Sequence, residues 1–124
     1  GMSELQRRLV PGQGEALPRA ELAAMLAPAG PREILARLLR NLRAIYVHYS
    51  QFAQALSATT RILELAPGNA HEWRERAGLH LSLECFRAAL GDFQRYLALA
   101  PDADDAEATR ARIVELQATC ARLN

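Results

Sequence analysis

The sequence predicts an all-α chain built from two tandem helical hairpins with capping helices at the ends. Three observations predict it. From Pro31 onward apolar residues recur at helical spacing, and no segment shows strand alternation. Pro67 and Pro101 stand 34 residues apart, each closing an amphipathic run. Across the segments that end in those prolines, eight positions carry the same residue at the same shift. A length of 124 residues with 50% hydrophobic content suits one small domain with its own core.

Residues 1–30 form an N-terminal segment with the least regular pattern. Ser3 to Val10 reads as a short helix, with Ser3 and Gln6 as a capping box. Pro11-Gly12-Gln13-Gly14 breaks it. Pro18 to Ala27 reads as a second short helix with Leu22, Met25 and Leu26 as its stripe, and Pro18 suits a first turn. Residues 1–14 are expected to be loosely held. Gly1 before Met2 reads as the scar of a cleaved tag, and Met2-Ser3-Glu4 lacks the basic-then-apolar layout of a signal peptide. With no apolar run near the ~18 residues of a membrane span, the expected location is the cytoplasm.

Residues 31–124 form the repeat domain, with repeats at about 36–69 and 70–103. In the first helix Leu35, Leu38, Leu39, Leu42, Ile45, Tyr46 and Tyr49 fall in one wide apolar sector. Phe52, Ala55, Leu56, Thr59, Ile62, Leu63 and Ala66 share a face of the next. Only Ser50 and Gln51 separate the two, so they pack as an antiparallel hairpin. Pro67-Gly68 stops the chain, and Asn69 is placed to cap the third helix. Trp73, Ala77, His80 and Leu83 then share one side. After a turn at Glu84-Cys85, Phe86, Ala89, Leu90, Phe93, Tyr96, Leu97 and Ala100 face inward. A C-terminal capping helix spans about 104–123, started by Asp104 or Asp105 and striped by Ala106, Thr109, Ile113, Leu116, Cys120 and Leu123.

The formal net charge is +1, which argues against a general nucleic-acid binder. All 15 basic residues are arginine. The charge is uneven: Arg32, Arg37, Arg40 and Arg43 crowd one segment, and Asp102, Asp104, Asp105 and Glu107 another. Cys85 and Cys120 match no metal-binding spacing; the expected cytosolic setting favours two buried thiols, with a single disulfide as the alternative. Neither has a partner that would stabilise a thiolate. His80 reads as a satisfied core histidine. His48 and His71 could meet across a groove, but without an acidic partner they make no metal site. Arg76 faces an apolar sector and requires an acid, with Glu72, Glu75 and Asp92 in reach. No triad, metal cluster or phosphate loop is visible, so the chain reads as a non-enzyme without a cofactor.

The 34-residue shift carries Phe52 to Phe86, Ala55 to Ala89, Leu56 to Leu90 and Arg61 to Arg95. It also carries Leu63 to Leu97, Leu65 to Leu99, Ala66 to Ala100 and Pro67 to Pro101. This pattern resembles the tetratricopeptide repeat (TPR), a helix–turn–helix unit that stacks into an α-α superhelix. Arg43 and Ala77 stand where the family prefers Gly, and Arg76 where it prefers Leu. The stretches Pro31–Tyr46 and Phe86–Pro101 are similar to the C-terminal repeat portion of bacterial transglutaminase-like proteins of the SirB type. In those proteins a Cys/His domain precedes the repeats, and no such domain is visible here.

The resemblance implies that first helices line a concave surface. That surface would hold Arg37, Arg40, Asn41, Ala44, His48, His71, Arg74, Gly78 and Ser82. Family members that grip C-terminal carboxylates place Lys and Asn there. Here Arg40 takes the Lys position, Ala44 an Asn position, and Glu75 replaces a second Asn, so that clamp is incomplete. The implied function is protein–protein interaction, with a peptide or a partner domain, such as a transglutaminase-like one, in a shallow groove. The alternative is a structural role, with homodimers formed through incompletely capped ends.

Overall fold

The computed structural model describes residues 30–123. The short helices expected over Ser3–Val10 and Pro18–Ala27 lie outside the described residues. Within them five helices follow in order: α1 (Pro31–His48), α2 (Phe52–Leu65), α3 (Ala70–Ser82), α4 (Phe86–Leu99) and α5 (Ala106–Leu123). No strand occurs among the described residues.

The inner turn of each hairpin is the same device placed 34 residues apart. Ser50 and Glu84 both adopt a left-handed backbone, at φ 56° and 57°. Around Ser50, the Gln51 N–H donates to the Tyr46 carbonyl at 2.7 Å and the Ser50 N–H to Val47 at 3.0 Å. Around Glu84, Cys85 donates to His80 at 2.8 Å and Glu84 to Leu81 at 3.0 Å. This is the Schellman pattern, which satisfies the last carbonyls of a helix and reverses the chain within three residues. The outer turns also repeat: Ala66 donates to Ile62 at 2.9 Å, and Ala100 to Tyr96 at 2.8 Å. Asn69 stands at the N-cap of α3 as expected, but its side chain makes no capping bond. The Asn69 N–H is instead turned back to the Ala66 carbonyl at 3.1 Å.

Packing follows from residue size. Ala55, Ala77 and Ala89 are fully buried, and their methyls permit close helix approach. Ala77 and Ala89 meet in a cluster with Phe93 and Leu116, to which Leu81, Phe86, Leu90 and Ile113 add partly buried side chains. A second cluster joins Leu39 of α1 to Ala58 and Ile62 of α2. Phe52 and Phe86, like Leu56 and Leu90, take equivalent half-buried places. α5 seals the array through Ala106, Thr109, Leu116 and Cys120, while Leu123 at its end is exposed.

Two expectations fail here. Cys85 is exposed, because it sits in the tight turn ahead of α4; Cys120 is buried. The apolar sector of α1 is also largely in contact with solvent. Leu35, Leu38, Leu42, Ile45 and Tyr49 are all exposed, and only Ala36 and Leu39 are buried. The side of α1 that faces α2 instead presents Arg43.

Candidate groove on the first helices

Positions 74, 78 and 82 lie four residues apart, so α3 presents Arg74, Gly78 and Ser82 along one line. Asp105, Thr109 and Arg112 stand opposite, at and along the start of α5. Between them runs an open groove of about 490 Å³. Its apolar lining comes from Leu79 and Leu81 of α3, Phe93 of α4, Val47 of α1 and Phe52 of α2. Gly78 leaves space: a Cβ there would meet nothing within 4 Å. The Ser82 hydroxyl donates back to the Gly78 carbonyl at 3.3 Å.

The groove wall is fixed by charge. Arg74 Nε lies 2.8 Å from Asp105 Oδ2, and the Tyr96 hydroxyl donates to Asp105 Oδ1 at 2.5 Å. One carboxylate thereby ties α3, α4 and the start of α5 together. That hydrogen bond, with burial, raises the Tyr96 hydroxyl above its ordinary value of 10.0. Glu75 on the same wall lies 3.4 Å from His71 Nε2. Arg112 lies 3.9 Å from Glu115, both well exposed.

Deeper in the array lie two ion-pair clusters. Glu72 is 1% exposed; Arg43 donates to both of its carboxylate oxygens, and Arg40 Nε approaches at 3.4 Å. Arg43 also donates to the Thr59 hydroxyl at 3.4 Å. Arg76 meets Asp92 through two hydrogen bonds, 2.8 and 2.9 Å, as its apolar setting demanded. His80 Nε2 sits 3.5 Å from the same Asp92. Its Nδ1 is buried without a hydrogen-bond partner among the described residues, so the histidine is only half satisfied. Burial is the main cause that pulls His80 below its ordinary value of 6.5; Arg76 adds to it and Asp92 opposes it.

The structure therefore divides the nine residues read from the sequence. Arg74, Gly78 and Ser82 line the groove. Arg40 turns toward Glu72 rather than into it. Arg37, Asn41 and Ala44 are exposed on α1 and do not line it. His48 packs edge-on against the Tyr49 ring at 4.9 Å, and His71 pairs with Glu75. The groove is also less arginine-rich than expected, since Glu75 and Asp105 share its wall. Sequence reasoning offered Glu72 only as a partner for Arg76 and missed its burial and its pairing with Arg43. The available signal was its repeat mate, Leu38, which marks an apolar position. It also missed Arg112, which no pattern distinguished from a solvated helix residue. Among the described residues no group of three or more His, Cys, Asp or Glu is arranged to hold a metal.

Paired helices whose turns repeat at a 34-residue spacing, with a groove between α3 and the start of α5, define a helical-repeat scaffold. The tetratricopeptide repeat model matches residues 42–114, and the chain belongs to that family. It is similar to a UPF0162 protein of Xylella fastidiosa, at 37% identity over 91% of this chain and 41% of that protein. A UPF0162 protein of Pseudomonas aeruginosa is 42% identical over 68% of this chain and 32% of its own length. Protein SirB1 of Salmonella typhimurium is 29% identical over 82% of this chain and 38% of its own. The chain thus spans between about a third and two fifths of the length of these relatives. Tetratricopeptide repeats generally mediate protein–protein interaction. No helix among the described residues is long and apolar enough to cross a membrane.

Proposed function

We propose that this chain is a non-catalytic interaction module that holds a peptide or a segment of a partner domain in the groove between α3 and α5. The observation that carries this reading is the groove itself. It has an apolar floor at Leu79 and Phe93, charged edges at Arg74, Glu75 and Arg112, and open space over Gly78. An extended segment would place a side chain over Gly78 and its polar backbone against the rim. Glycine inside a helix costs about 1 kcal/mol relative to alanine, and no packed neighbour explains it here. The resemblance to transglutaminase-like proteins makes a domain of that kind the first partner to try.

The test is a pull-down with wild type and Gly78→Trp, after circular dichroism confirms that the variant folds. A Cβ at position 78 meets nothing within 4 Å, so the substitution directs the indole into the groove. Loss of the partner in the variant supports the reading; equal capture by both proteins contradicts it.

A further inference from the structure

The exposed apolar sector of α1 is a second surface, separate from the groove. Five of its side chains are 43–68% exposed: Leu35, Leu38, Leu42, Ile45 and Tyr49. Leu35, Leu38, Leu42 and Ile45 share one face of α1 and Tyr49 follows its last residue, and contiguous apolar surface of this kind marks an interaction site.

The repeat itself indicates what the face fits. Shifting Leu38, Leu42 and Ile45 by 34 residues gives Glu72, Arg76 and Leu79 of α3. Those are the residues by which α3 stacks on the preceding hairpin. Glu72 is held by Arg43 of α1, and Arg76 donates to Thr60 of α2 at 3.4 Å. Leu79 is 7% exposed. On α3 this surface is covered by a packed helix; on α1 no helix among the described residues covers it, and its polar members are replaced by leucine. A cavity of about 330 Å³ between Leu35, Leu39 and Leu65 continues the face toward α2.

Charge narrows the partner. At ~100° per residue, Arg37 and His48 border one edge of the sector and Arg32 the other. Arg61 and Glu64 of α2 border the cavity. The rim is therefore mainly basic. A second copy meeting this face would set arginine against arginine, which costs affinity.

We propose that α1 docks an amphipathic helix with an apolar stripe and acidic flanks, stacked on α1 as α2 stacks on α3.

The test uses the whole 124-residue chain and two synthetic four-turn helical peptides. Both carry the same leucine stripe; one has glutamate flanks and the other lysine flanks. Binding is read by calorimetry and mapped by amide chemical shifts. The glutamate peptide should bind at least about tenfold more tightly than the lysine peptide, with shifts centred on residues 35–49. Leu38→Glu/Leu42→Glu should abolish that binding and leave the melting temperature unchanged, while Gly78→Trp should leave binding intact. Equal affinity for both peptides, binding to neither, or shifts confined to residues 74–82 overturns the proposal. So does a melting temperature that collapses in the double variant, which would show the face already covered in the free chain. Concentration-dependent dimers abolished by the double variant overturn it in favour of a second copy.

Discussion

Arg43 stands where the repeat ordinarily keeps a small residue, and its guanidinium compensates for its size by binding Glu72 and Thr59. A buried carboxylate left without its partner is costly, about 3–5 kcal/mol, whereas replacing both charges with apolar groups is often near neutral. Arg43→Ala should therefore lower unfolding free energy by several kcal/mol, and Arg43→Met/Glu72→Leu by much less. Urea unfolding of the single and double variants checks this; equal losses would deny the coupling. His80 gives a pH prediction. Its folded value lies below 6.5, so near that pH the unfolded chain binds more protons than the folded chain. The stability it contributes is present above pH 6.5 and is lost as pH falls through the folded value. His80 faces Asp92 and Arg76, and Asp92 only partly offsets the burial. A urea midpoint followed from pH 7.5 to 5 should fall in wild type and flatten in His80→Gln. Parallel curves would remove His80 as the cause.

Helix order and turn positions were legible because they rest on local rules: prolines at 67 and 101, and matched apolar positions between them. The inner turns were legible only as turns. That Ser50 and Glu84 share a left-handed backbone follows from the Schellman geometry, not from their residue types, since glycine is the usual occupant. A left-handed non-glycine residue costs about 1–2 kcal/mol, and glycine returns roughly 0.4–1 kcal/mol of that through unfolded-state entropy. Glu84→Gly should thus stabilise the fold by up to about 1 kcal/mol and Glu84→Val should destabilise it, as read by thermal melts. A lower melting point for Glu84→Gly would refute this turn assignment. The apolar period of α1 was legible too, but periodicity cannot say what covers a face. Leu38, Leu42 and Ile45 read as core and are exposed because the array has no packed helix on that side among the described residues.

At the scale of the molecule, the repeat period placed a groove along both first helices, whereas its lining comes mainly from α3 and the start of α5, and the period could not say how the charges are spent. Arg40, Arg43 and Arg74 are each held by an acid far away in sequence, at Glu72 or Asp105. Such pairings depend on stacking of successive repeats, which no local pattern encodes. The outcome is a groove of mixed charge centred on Gly78, Ser82 and Arg112 instead of an arginine face along α1. The most direct measurement places a photo-crosslinking side chain at Ser82 in the groove and, as a control, at Gln94, which is exposed on α4. In host cells, the account predicts a discrete crosslinked partner from Ser82, lost on adding Gly78→Trp, and none from Gln94. The same partner crosslinked from Gln94 and not from Ser82 would contradict it.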